Sequence, residues 1–126
     1  MPGAKIIKNG EDMDDPLLDE QALVVNLGDK GLVIVSTCSH PGILNTIHYA
    51  QEVTGNDSVF AVIGGLHLAQ VSDHVLAQTV SGLGDSGAEL VLTGHCTGFR
   101  PNCRMNRELG STFAISCVGS KVTLAA

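Results

Sequence analysis

Three short apolar runs in this chain each stop at a turn that carries a histidine. Leu32-Val33-Ile34-Val35-Ser36-Thr37 leads to Cys38-Ser39-His40-Pro41-Gly42, Ser58-Val59-Phe60-Ala61-Val62-Ile63 to Gly64-Gly65-Leu66-His67, and Ala88-Glu89-Leu90-Val91-Leu92-Thr93 to Gly94-His95. The runs have strand length and strand composition. Between them the period changes. Ile43, Ile47, Ala50 and Thr54 recur on one helical face, with Pro41 at the first helical position and Gly55 as the stop. Ser72 caps a second helix with the face Leu76, Thr79, Val80 and Leu83, ended by Gly84-Asp85-Ser86-Gly87. Strand, helix, strand, helix, strand is the pattern of parallel βα units, so the fold class is α/β.

That order has a consequence for the histidines. Right-handed βα repeats put the carboxyl ends of neighbouring parallel strands on one edge of the sheet, where α/β proteins usually hold their ligands. His40, His67 and His95 are separated by 27 and 28 positions, one unit each time, so all three are expected on one rim. His40 then sits at or next to a helix cap. Neutral imidazole binds zinc, iron or manganese-like ions, and three protein ligands with one open position form a water-activating site. The competing reading is a set of caps or hydrogen-bonded core residues, and Gly42, Gly64, Gly65 and Gly94 suit any tight βα turn as well as a bound ligand. His48 and His74 fall inside helices and read as solvated.

The rest of the chain is read more simply. Ala22-Leu23-Val24-Val25-Asn26-Leu27 and Leu32 to Thr37, divided by Gly28-Asp29-Lys30-Gly31, predict an antiparallel hairpin. A short helix is expected from Pro101 to Leu109, then a closing hairpin of Thr112 to Cys117 and Lys121 to Leu124. Residues 1–13 are expected to form a flexible arm and residues 14–126 one domain, because 126 residues at 44% hydrophobic content support a single modest core. The net charge of -6 and the lack of a basic block argue against nucleic acid. No apolar run has membrane length and no export signal is evident. Four cysteines, 38, 96, 103 and 117, lack zinc-ribbon spacing and are too few for a disulfide scaffold, which points to a reducing cytoplasm. Cys117, in an apolar run, is expected to be a buried hydrophobe. Cys38 and Cys96, each within two residues of a histidine, keep a ligand or pocket role as an alternative.

Leu17-Leu18-Asp19-Glu20-Gln21-Ala22-Leu23-Val24, Cys38-Ser39-His40-Pro41-Gly42-Ile43, Ile63-Gly64-Gly65-Leu66-His67-Leu68 and Thr93-Gly94-His95-Cys96-Thr97-Gly98 together resemble the carboxyl-terminal half of a metallo-β-lactamase-fold branch, that of dihydropterin ribofuranosylaminobenzene phosphate synthase-like proteins. The resemblance covers about residues 14 to 124. It implies half of an αββα sandwich, with a mixed sheet and helices on one face. It implies a metal-dependent hydrolase with His40, His67 and His95 as ligands of zinc or another divalent transition metal. His40 matches the ligand that follows the family's first cluster, and His95 the last histidine ligand. At His67, where other members supply a bridging Asp, this chain has no acid.

The His-x-His-x-Asp-His cluster of the family's amino-terminal half is also missing from this sequence. The chain therefore looks like a half-length gene product, a separately encoded half or a deliberately shortened chain, and no catalytic base is identified. Asp19 and Glu20 are the nearest acids in motif terms, but their block belongs to the start of the half-fold. A lone half would turn the inner face of its sheet to water, so a partner is expected: a homodimer, since the complete fold has an approximate two-fold axis, or a separately encoded amino-terminal half. Two other functions compete with the hydrolase. One is a small-anion-binding module using Arg100, Arg104 and Arg107, and the other a structural half-domain.

Overall fold

The computed structural model describes residues 5–124. A ribbon of β1 (Lys5–Lys8) and β2 (Glu11–Asp14) pairs antiparallel and stands apart from a five-stranded sheet. That sheet holds β3 (Ala22–Asn26), β4 (Leu32–Ser36), β5 (Val59–Gly64), β6 (Leu90–Thr93) and β7 (Phe113–Ile115), in chain order across the sheet. Only β3 and β4 are antiparallel; every later pair is parallel. The crossovers are α1 (Ile43–Thr54), α2 (Asp73–Asp85) and α3 (Phe99–Leu109).

Because each crossover moves one strand in the same direction, right-handed connections place all three helices on one face. Packing agrees: α1 touches α2, and α2 touches α3. One side-chain row crosses the whole sheet beneath them, Val24, Ile34, Val62, Val91 and Phe113. Onto it pack Ile43, Ile47 and Ala50 from α1 and Leu76, Val80 and Leu83 from α2. Each such large side chain contributes about 1.5–3 kcal/mol when fully buried.

Strand alternation sends the next rows to the opposite face. Val25, Val33, Ala61 and Leu90 form one, and Leu23, Val35, Ile63, Leu92 and Ala114 the other. Both rows are wholly apolar; Val33, Ala61 and Leu92 are buried, yet at the β3 edge Leu23 is 63% and Val25 41% exposed.

Several expectations change. α1 begins at Ile43 with Gly42 as its cap, so Pro41 lies before the helix and His40 in the preceding turn. Gly42 has φ 94°, a value closed to proline, which forces the chain to turn once more after Pro41. Thr54 closes α1 exposed, bonding back to the Ala50 carbonyl. The expected closing hairpin does not form: β7 pairs parallel with β6, and residues 121–124 are not strand. Cys117 is exposed rather than buried, since it lies beyond the end of an edge strand. Within the expected arm, residues 5–13 belong mostly to the β1–β2 ribbon; residues 1–4 lie outside the described ones. Among the described residues no helix is long and apolar enough to cross a membrane.

Candidate metal centre

The strand ends are level. Ser36 pairs with Gly64 and Gly64 with Thr93, so the turns that follow β4, β5 and β6 stand side by side. The ladder extends past the strands, with Gly65 N–H donating to Thr37 O and Gly94 N–H to Gly64 O. Gly65 is required at the join. A Cβ there would stand 2.6 Å from Cys96 Sγ, His95 Cε1 and Thr37 O.

Glu20 enters from the other side of the hairpin. Ala22 lies opposite Ser36, so continuing the antiparallel register brings residue 20 level with residue 38. Its Oε1 accepts from the backbone N–H of Cys38 (3.2 Å) and Ser39 (2.5 Å) and from the Thr37 hydroxyl (3.1 Å). Its Oε2 accepts from His40 N–H at 3.0 Å and from His40 Nδ1 at 2.5 Å. Burial raises the Glu20 pKa, but the amides of His40, Cys38 and Ser39 and the Thr37 hydroxyl outweigh it and hold the carboxyl below its usual range. An ionised carboxylate only accepts, so His40 donates to it through Nδ1–H.

His40 Nε2, on the far side of the ring, is buried and has no partner, and neither has the buried Nδ1 of His67. The two rings meet edge to face, centroids 4.6 Å apart. His67 sits at φ 47°, and Ser39 at φ 61°, both in the left-handed region that non-glycine residues seldom adopt. Ser39 is held there by its hydroxyl, which donates to Gly65 O (2.8 Å) and accepts from the Ser36 hydroxyl (2.6 Å). Burial, with the neighbouring His40 acting in the same direction, lowers the His67 pKa and favours its neutral form.

His95 is exposed and reaches the group through sulfur, its Nε2 3.0 Å from Cys38 Sγ. Cys96 Sγ accepts from His67 N–H at 3.3 Å. The donor atoms of Cys38, His67 and Cys96 all lie within 4.8 Å of one another. Burial raises the Cys38 pKa, and Cys96 and Glu20 add to the effect. An open depression of about 830 Å³ lies over the strand ends, lined among others by Gly64, Gly65, Gly94, His95 and Cys117.

The rim expected from spacing thus exists: His40 touches His67, and His95 joins through Cys38. Glu20, one of the two nearest acids in motif terms but read mainly as the start of the half-fold, holds the His40 turn. The hairpin register was the signal that could have placed it. The two cysteines held in reserve are in the group. The arginines are committed elsewhere: Arg100 pairs with Asp73 and donates to Val71 O, and Arg104 and Arg107 pair with Glu108. His48 and His74 are exposed on their helices.

No family model matches the sequence. Among curated proteins, the chain is 36% identical over 107 residues to 7,8-dihydropterin-6-methyl-4-(beta-D-ribofuranosyl)-aminobenzene-5'-phosphate synthase of Methanocaldococcus jannaschii, covering 85% of this chain and 36% of that protein. It is 32% identical over 101 residues to an uncharacterized protein of the same organism, covering 80% of this chain and 36% of the relative. Among solved structures it superposes on a metal-dependent hydrolase of the beta-lactamase superfamily with TM-score 0.88 at 33% identity, covering 97% of this chain and 47% of the other. The chain therefore spans about a third of the length of these curated relatives and about half of the solved one. By sequence and by fold it matches one half of the metallo-β-lactamase-superfamily fold and is similar to the branch of the dihydropterin synthase-like proteins.

Proposed function

We propose that this chain forms the metal-holding edge of a hydrolytic centre, with His40, His67 and His95 among the ligands of a divalent transition ion, zinc first, and with a second α/β half completing the site. The observation that supports it is the pairing of Glu20 with His40 Nδ1 at 2.5 Å, which leaves His40 Nε2 buried and unpartnered beside the equally unpartnered Nδ1 of His67. A carboxylate behind a histidine, fixing its tautomer and its ring, is the usual support of a metal ligand. An orphaned buried polar atom costs about 1–3 kcal/mol, and a cation would satisfy both.

A bound ion would polarise the scissile group and lower the pKa of a bound water. The chain's own residues do the positioning. Glu20 orients His40, and Ser39 and Gly65 lock the turns together. The depression over the strand ends leaves room for a substrate beside His95. Glu20 is not free to take a proton from water, because both of its oxygens are already engaged. The proton acceptor is therefore assigned to the second half. The bond attacked is of ester, lactone or phosphoester type, and phosphorylated compounds come first because the curated relative's name is that of a phosphate-bearing product.

The occupant proposed for the exposed β3 end of this apolar face is that second half, from a separately encoded chain or from further length of the same one. Two observations support it: Leu23 and Val25, on one face of β3, are exposed, and a solved relative is about twice as long. A second copy of this chain is the alternative occupant. Elemental analysis of protein purified without a metal-affinity tag, after zinc supplementation, tests the metal: an ion per chain is expected, and a content near zero refutes the reading. Light scattering on the same sample tests the face, where a monodisperse monomer that binds no added half would refute it.

A further inference from the structure

We infer that sulfur as well as nitrogen holds the ion of this edge, with Cys38 Sγ and Cys96 Sγ joining the histidine ligands around His67. This rests on the reading that the edge binds a metal and specifies its chemistry. The donor atoms of Cys38, His67 and Cys96 lie within 4.8 Å of one another. A tetrahedral ion with bonds of about 2.3 Å to sulfur and about 2.0–2.1 Å to nitrogen needs its ligands roughly 3.3–3.8 Å apart. The group must close by about one ångström at its widest, within the reach of χ1 rotations.

Three further features fit. His95 Nε2 is already 3.0 Å from Cys38 Sγ, close to the spacing of two ligands on one ion. The backbone N–H of His67 points at Cys96 Sγ at 3.3 Å, and an amide donor on sulfur stabilises a thiolate. The other contact of Cys96, Sγ to Cys38 O at 3.7 Å, is long and weak, so an ion displaces little by taking the sulfur. The lack of a Cβ at Gly65 lets Cys96 and His95 approach the strand end. Glu20 is the only carboxylate tied to this cluster by a described bond, and its oxygens are engaged.

Two thiolates with imidazole select zinc-class ions over magnesium or calcium. Binding would convert two S–H groups to Zn–S bonds and release both protons to the solvent. Because all the named donors come from one chain, the ion would be retained before the second half docks.

Cobalt(II) is the probe. The reduced full-length chain, titrated with it anaerobically, should develop thiolate-to-cobalt charge-transfer absorption in the near ultraviolet, saturating at an ion per chain and abolished by zinc. Cys38→Ser and Cys96→Ser should each reduce that band and weaken affinity by at least about tenfold, whereas Cys103→Ser should change neither. Circular dichroism identifies variants that fail to fold. X-ray absorption at the zinc edge of the unaltered protein supplies the variant-free measurement, with sulfur neighbours near 2.3 Å expected. Binding with only nitrogen and oxygen neighbours overturns the inference and leaves the metal reading standing. A band that survives both variants also overturns it. No binding of either ion refutes the metal reading itself, and this inference with it.

Discussion

Replacing Glu20 tests the geometry of the edge most directly, because one carboxylate serves five donors from four consecutive residues. In Glu20→Ala the exposed Thr37 hydroxyl finds water. Ser39 and His40 do not find it so easily, since Ser39 is 3% exposed and the His40 side chain 18%. Bonds to a charged acceptor contribute about 1.5–3 kcal/mol each, and two that share one acceptor are not fully additive, so the loss is roughly 3–5 kcal/mol. That is a large part of the about 5–15 kcal/mol that holds a small domain together. Urea denaturation followed by circular dichroism should show the midpoint falling by about 2 M, for an m-value of about 1–3 kcal/mol/M. Glu20→Gln, with similar shape, should lose less but still measurably, because its NH₂ group must face a donor.

Acid supplies the second arm of this test. Glu20 has a folded pKa below the ordinary 4.5 of a glutamate. A carboxyl depressed by folding adds stability above its unfolded pKa and loses it as pH falls through the folded value. The stability difference between the native chain and Glu20→Gln should therefore stay flat from neutral pH to about pH 5 and shrink below the unfolded pKa. A midpoint shift under about 0.3 M for Glu20→Ala, or a difference that grows on acidification, would refute the role given to this residue.

Other changes probe the neighbouring supports. Gly65→Ala drives a Cβ to 2.6 Å from Cys96 Sγ and His95 Cε1, so calorimetric zinc affinity should fall at least about tenfold even where the fold persists. Thr97→Val removes the acceptor of the buried Leu66 N–H (3.2 Å) and should cost about 1–3 kcal/mol in chemical denaturation. Ser72→Ala deletes the hydroxyl that caps α2 through Val75 N–H, and thermal unfolding should register about 1 kcal/mol. Thiol labelling followed by mass spectrometry should modify Cys103 and Cys117 first, since both are exposed while Cys38 and Cys96 are half-buried. Saturating zinc should slow labelling of Cys38 and Cys96 alone.

Most of the sheet could be read from the chain because its signals are local. Short β-branched runs, a four-residue glycine-bounded loop and helices with clean apolar faces fixed β3 to β6, α1 and α2. The buried set of α2, Leu76, Thr79, Val80 and Leu83, is the face its period predicts. The ends were harder, for a reason that particular residues show. Val118 and Val122 look like strand residues, but both are exposed, and the free edge of β7 stays unpaired because the chain after it does not return along the sheet. Apolar pattern reports what a residue could bury against and is silent on whether anything is there; Cys117 and the exposed β3 end holding Leu23 show the same limit.

The site divides along the same line. Its histidines announced themselves because strand ends in a parallel sheet are brought together by topology alone, without any fine adjustment. Glu20 did not, because its place depends on a register between two strands and on the conformation of Ser39 at φ 61°, which no periodicity encodes. A non-glycine residue held in that region costs of order 1–3 kcal/mol, and the compensation is visible in the two hydroxyl bonds of Ser39 and the Ser39 N–H bond to Glu20. The turn is thus overdetermined: the bonds that hold Ser39 in place also aim His40. A chain that needed only a βα connection could have used glycine at position 39 and left position 20 free. The strained, cross-linked turn found instead fixes an imidazole whose outward nitrogen has no protein partner, and that is the arrangement a cation requires.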